Sequence, residues 1–132
     1  MKIEHLGIAV KSLKTSEELF TKLLGKENYK REAVERERVT TSFYELGESK
    51  IELLEATNPE SAIAKFLDKR GEGIHHIAFG VENIYSEIER LKKAGFIFIS
   101  ETPKDGADNK IVVFLHPKST NGILVELCQE KT

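Results

Sequence analysis

Apolar and polar residues alternate with a period of two in some stretches of the chain and recur with a period near 3.6 in others. Residues 3–10, IEHLGIAV, place Leu6, Ile8 and Val10 on one side and His5, Gly7 and Ala9 on the other, which predicts a strand. Over residues 15–24 the spacing becomes helical, with Leu19, Phe20, Leu23 and Leu24 in one stripe and Thr15 and Glu18 as a T-x-x-E capping box. Residues 39–46 (VTTSFYEL) and 50–55 (KIELLE) alternate again around GES and predict an antiparallel pair. The charged stretch 27–37 is open between a short strand and a mobile segment.

A further helix is predicted over about 58–71, with Asn58 as N-cap, Pro59 in the first position and Gly71 after the end. Beyond it the pattern predicts a strand over 74–81 (IHHIAFGV) and a helix over 84–94 capped by Asn83. Strands follow near 96–100, 110–116 and 122–128.

The second half repeats the first. IEHLGIAVKSL at 3–13 lies over IHHIAFGVENI at 74–84, so that His5 matches His76, 71 residues on. KIELL at 50–54 matches LVELC at 124–128, and Glu52 falls on Glu126, 74 residues on. The difference of three residues is what unequal loops produce. A histidine, a helix and a glutamate recur in one order, which short apolar runs do not do by chance. The chain reads as two βαβββ modules, an α+β class, pairing into one cupped mixed sheet with helices on one face. Module one spans about 1–57, the connecting helix about 58–71 and module two about 72–130, with no Gly/Ser linker between them. All 132 residues are therefore expected to form a single domain.

Strand alternation then sorts the chemistry. His5 shares a face with Gly7 and Ala9, His76 with Ala78 and Gly80, and Glu52 and Glu126 each point away from their leucine neighbours. His75 lies on the apolar face with Ile77, Phe79 and Val81 and reads as structural. A lone strand histidine is usually a satisfied half-buried residue, and a lone glutamate is usually solvated. Four such residues at positions set by a repeat are different. Two imidazoles and two carboxylates suit a divalent first-row metal with positions left open for water or substrate, and a cation offsets the cost of burying the acids.

Composition narrows the setting. The chain is 39% hydrophobic and 32% charged with a net charge of −2, so no nucleic-acid or membrane partner is expected. The longest apolar runs, such as IVVFL at 111–115, are far too short to span a bilayer, and the first ten residues lack the apolar segment of a signal peptide. Cys128 is the only cysteine. A cytoplasmic protein is expected.

The repeat with histidine on each first strand and glutamate on each last strand resembles the vicinal oxygen chelate superfamily, the glyoxalase fold. The likeness covers essentially the whole chain. Four stretches are similar in particular to its methylmalonyl-CoA epimerase family: IEHLGIAV, FYELGESKIELLEATNPESAIAKFL, GIHHIAFGVENI and VVFLHPKSTNGILVEL. Glyoxalase I usually carries a DPDG-type turn where this chain has HPKSTNG.

The resemblance implies His5, His76 and Glu126 as core metal ligands and Glu52 as the fourth. It implies one divalent ion per chain, commonly Co2+, with Zn2+, Ni2+ and Mn2+ as the others. It also implies an acyl-CoA substrate, a homodimer, and epimerisation of methylmalonyl-CoA at C2 through a metal-stabilised enolate. Glu126 is then the first acid/base. A second glutamate that the family carries on the third strand of module one falls at Thr41 here, with Glu45 and Glu52 as nearby acids, so the second base is open between Glu52 and a metal-bound water. Lys110, His116, Lys118 and Ser119 are expected around the last hairpin, as donors to a CoA phosphate or the substrate carboxylate, or as a solvated loop. The competing readings are a glyoxalase I-like lactoylglutathione lyase and a non-catalytic small-molecule-binding protein of the same fold. An iron dioxygenase is disfavoured by the acid at position 52.

Overall fold

The computed structural model describes all of Met1–Thr132. The chain divides into two compact units, His5–His75 and Met1–Glu4 with His76–Thr132.

In the unit His5–His75 the elements are β1 (Lys2–Ala9, whose first residues belong to the other unit), α1 (Leu13–Leu24), β2 (Lys30–Val34), β3 (Val39–Leu46), β4 (Ser49–Ala56) and α2 (Ala62–Arg70). The strands run in the order β2-β3-β4-β1. β1 and β4 pair in parallel, with Gly7 opposite Glu52, whereas β3 and β4 form the predicted antiparallel hairpin. One sheet face packs Val10, Leu13, Tyr44 and Leu53 against Phe20 and Leu24 of α1. The other packs Ala9, Val39 and Leu54 against Ile63, Phe66 and Leu67 of α2. By alternation this second face is the one that bears His5 and Glu52, so α2 covers one end of it.

The open stretch 27–37 contains β2, an edge strand held to α1 by Glu17. That carboxylate accepts from Ser42 Oγ at 2.7 Å and from the Arg31 guanidinium, which holds it below the usual carboxylate range.

In the other unit, β5 (Gly73–Gly80, entered from the first unit) precedes α3 (Ile84–Lys93), β6 (Lys104–Gly106), β7 (Lys110–Leu115) and β8 (Val125–Glu130). The order is β5-β8-β7-β6, with β5 and β8 parallel and Ala78 opposite Glu126. Its core joins Ile84, Ile88 and Leu91 of α3 to Val113, Leu115, Val125 and Leu127. The two units thus repeat one topology, as the internal sequence repeat predicts.

Four boundaries differ from the pattern, each for a local reason. α1 begins two residues early because Ser12, not Thr15, is its cap and accepts from the Thr15 N–H. α2 begins at Ala62 because Asn58 accepts from the Glu60 N–H in a local turn, which leaves Ser61 to cap the helix. Residues 96–100 form no strand. They make a single bridge, Phe98 to Leu115, while Phe96 and Phe98 turn into the core. β8 starts at Val125 because Asn121 and Gly122 adopt left-handed backbone, φ 58° and 82°, which extended chain cannot.

His75 sits edge-on to the Phe66 ring of α2, with centroids 5.0 Å apart. Burial lowers its pKa to about 4.

Two outcomes are expected. Ser12→Ala should cost about 1 kcal/mol in urea melts, and Thr15→Ala only about a few tenths, since Ser12 supplies the cap. Equal losses would return the cap to Thr15. For His75, the unfolded chain binds the proton near pH 6.5 and the folded chain only near 4. Its stabilising contribution is therefore complete above pH 6.5 and lost as pH falls toward 4. His75→Phe should remove this loss. The stability gap between variant and wild type should widen in the variant's favour by about 1.4 kcal/mol per pH unit across that window.

Candidate functional site

Each unit builds one histidine–carboxylate pair, and both are built in the same way. In the first, the parallel register sets Gly7 opposite Glu52, so His5 comes two residues earlier on the same face. His5 Nδ1 lies 3.1 Å from Glu52 Oε2. In the second, Ala78 is opposite Glu126 and His76 again precedes by two. His76 Nε2 lies 3.4 Å from Glu126 Oε1. All four residues are only 5–6% exposed.

The surroundings explain how such burial is possible. Gly7, Ala9, Ala78 and Gly80 keep the strand faces beside the histidines small, so neighbouring side chains close over them: Ala9 and Ala78 are fully buried, and Gly80 lies against Glu4. Across the hairpins, Phe43 stands opposite Glu52 and Phe114 opposite Glu126, and Phe114 meets the His76 ring edge-on at 5.9 Å. These two phenylalanines are also 71 residues apart. The repeat offset that links His5 to His76 could therefore have identified them, although the pattern of ligand-type residues alone did not.

The spacing of each pair also fits a shared ion. Two N or O donors bound at about 2.1 Å are about 3.0 Å apart on an octahedral ion and about 3.4 Å apart on a tetrahedral one. The observed 3.1 and 3.4 Å fall in this range. A borderline divalent cation prefers this mixture of imidazole and carboxylate donors, and it relieves the desolvation of the acids.

The remaining predicted residues do not form one site. Lys110 opens β7, whereas His116, Lys118 and Ser119 follow the other end of that six-residue strand. Lys110 is not a loop residue. It is 5% exposed, its Nζ donates to the Asp108 carbonyl at 3.3 Å, and it lies 3.9–4.0 Å from the carboxylates of Glu4, Asp108 and Glu130. It lines a cleft of about 740 Å3 with Lys2, Glu4, Gly80, Asn83 and Cys128. Three acids around one ammonium leave little net positive charge for an anionic ligand.

The HPKS motif has a structural explanation in the turn it makes. His116 Nδ1 accepts from the Lys118 N–H and Ser119 Oγ donates to the His116 carbonyl, which closes a one-turn 3-10 helix beginning at Pro117. The exposed Lys118 side chain stands outside this turn. In β3, Thr41 is buried beside Phe43, and Glu45 is exposed. Of Glu45 and Glu52, only Glu52 belongs to a buried pair; the acid directly opposite Thr41 across the ladder is Glu32, which is half-buried.

Comparison with known proteins identifies the family. Residues 4–114 match the Glyoxalase/Bleomycin resistance protein/Dioxygenase superfamily. The chain is 42% identical to the ethylmalonyl-CoA/methylmalonyl-CoA epimerase of Cereibacter sphaeroides over 97% of both chains. A solved variant of Streptomyces coelicolor methylmalonyl-CoA epimerase, in complex with 2-nitronate-propionyl-CoA, superimposes with a TM-score of 0.95 at 32% identity, covering 100% of this chain and 96% of that one. A probable lactoylglutathione lyase of Vibrio cholerae is more distant, at 29% identity over 98% of this chain and 91% of its own. No helix is long and apolar enough to cross a membrane. The chain belongs to the glyoxalase/bleomycin resistance protein/dioxygenase superfamily, the vicinal oxygen chelate group that its repeated histidines and glutamates resemble, and it has that superfamily's α+β fold.

Proposed function

We propose that the chain is a metal-dependent epimerase that interconverts (R)- and (S)-methylmalonyl-CoA by removing and returning the proton at C2. The observation that carries this reading is the likeness to methylmalonyl-CoA epimerases over nearly the whole chain, in a molecule that keeps a buried histidine–carboxylate pair in each unit. The candidate ligands are His5, Glu52, His76 and Glu126, for one divalent ion per chain. Cobalt is the first choice within the family, and this N/O donor set also accepts zinc, nickel or manganese. The bound ion would supply a Lewis acid for the charge that builds on the thioester oxygen as the proton leaves.

The rest of the reaction falls to side chains. The C2–H of the substrate lies between a thioester and a carboxylate and is acidic enough for a carboxylate base held in a dry site. Glu126 is the first acid/base and Glu52 the second. Thr41 has no proton to exchange near neutral pH, and Glu45 is exposed. Phe43 and Phe114 exclude water beside each carboxylate, which limits loss of the enolate to side reactions. The reading extends to a homodimer in the cytoplasm. The subunit size is common among dimers of this superfamily, and the lone Cys128, buried and unbridged, is at home in a reducing compartment.

The direct test is deuterium exchange at C2 of methylmalonyl-CoA in D2O, with the protein loaded with Co2+ or treated with chelator. Exchange should require the ion. Turnover of the methylglyoxal–glutathione hemithioacetal with no exchange at C2 would replace the epimerase reading with the lyase reading. In the same assay Glu126→Gln should lower kcat by about 10²–10⁴, the usual worth of a general base. His76→Ala should lose the ion, whereas His75→Ala should retain wild-type metal stoichiometry.

A further inference from the structure

One hydrogen bond occurs twice, once in each unit, at equivalent positions. The Leu13 N–H donates to Glu55 Oε2 at 2.8 Å, and the Ile84 N–H donates to Gln129 Oε1 at 2.7 Å. Each acceptor comes three residues after the paired glutamate, 52 or 126. Each donor comes eight residues after the paired histidine, 5 or 76. Glu55 and Gln129 sit an odd number of residues from those glutamates, so each points to the opposite sheet face, toward the helix.

These bonds are not ordinary helix caps. Ser12 already accepts from the Thr15 N–H at the start of α1, and Asn83 from the Tyr85 and Ser86 N–H groups at the start of α3. What Glu55 and Gln129 add is a tie between the first helical residue and the strand that carries the glutamate. The tie comes just after the last rungs of the parallel ladders, where Val10 N–H donates to the Leu54 carbonyl and Val81 N–H to the Cys128 carbonyl, both at 2.9 Å. It therefore pins the register of β1 on β4 and of β5 on β8. That register decides whether His5 reaches Glu52 and His76 reaches Glu126, because a one-residue slip turns a side chain to the other face.

We propose that Glu55 and Gln129 are positioning residues for the two histidine–carboxylate pairs, each fixing one pair through the corner between strand and helix. The proposal rests on the metal reading above. It also explains why one position holds an acid and the other an amide. Both present the same acceptor oxygen to a backbone N–H.

The test compares Gln129→Ala, Gln129→Glu, Glu55→Ala and Glu55→Gln for Co2+ affinity by chelator competition and for thermal midpoint without metal. The alanine variants should bind Co2+ about tenfold more weakly, as loss of a ligand-orienting partner does. The Gln129→Glu and Glu55→Gln exchanges should stay within about twofold of wild type. Alanine variants that melt lower yet bind Co2+ as tightly as wild type would show a merely structural bond and overturn the proposal. If Gln129→Ala does not fold, Gln129→Asn, one methylene too short to reach Ile84, serves in its place.

Histidine ring NMR signals of the metal-free protein give an independent readout. Gln129→Ala should move His76 and leave His5, and Glu55→Ala should do the reverse. Unmoved rings would overturn the proposal. A wild-type chain that binds no Co2+ while the rings move in this pattern would overturn the metal reading and leave the positioning role standing.

Discussion

The constraint on which the structure turns is the burial of two carboxylates. Glu52 and Glu126 are almost completely withdrawn from water. Such a group is expensive to desolvate unless a cation or a donor stands close by. Each is met by an imidazole from a strand running parallel to its own. A parallel pair cannot be closed by a hairpin and needs a crossover. Here that crossover is a helix and two further strands, so the βαβββ unit supplies the parallel His/Glu pair together with an antiparallel neighbour. That neighbour places a phenylalanine opposite each acid. The small residues beside each histidine belong to the same solution, since they let neighbouring side chains, such as Ile63 over Ala9 and Glu4 over Gly80, close over the strand face.

Other buried or half-buried charges in the chain are met in another way. Lys110 is enclosed by three carboxylates and a carbonyl, and Glu17 by a guanidinium, a hydroxyl and an amide. His75 loses its charge instead and packs against Phe66. These groups are satisfied by protein alone and tie elements together. The adjacent histidines 75 and 76 show the contrast most directly. One strand delivers two imidazoles to opposite faces, one to an aromatic helix residue and one to a carboxylate beside Phe114.

The repeat made the fold legible, because two βαβββ copies with matched histidines and glutamates admit few topologies. Alternation also assigned the four ligand-type residues to their faces, since strand geometry leaves only two choices per residue. The pattern was less informative where short-range chemistry competes with it. Ser12 and Ser61 took caps that Thr15 and Asn58 could equally have supplied. Residues 96–100 have the composition of a strand, but Phe96 and Phe98 gain more from the core than from a ladder. Composition does not reveal that three acids gather around Lys110. Glu55 and Gln129 could not be singled out, because an exposed-looking polar residue at a strand end carries no signal until the helix corner it reaches is known.

The repeat also constrains the proposed chemistry. By the offset of 71, Thr41 corresponds to Val112, each two residues before the phenylalanine that faces a glutamate. Neither can exchange a proton near neutral pH, so the strands flanking the pairs contribute no acid of their own at these positions. Epimerisation needs a proton removed from one face of C2 and returned to the other. On the proposed reading, the glutamates of the two pairs would serve both as ligands and as acid and base. An acid shared in this way holds its charge more firmly when the ion is bound, which lowers its basicity. The imidazole beside each carboxylate and the register that holds it there then set how much basicity remains. In the proposed mechanism, the balance between holding a cation and moving a proton is tuned by the geometry of the parallel strand pairs, which Glu55 and Gln129 help to fix.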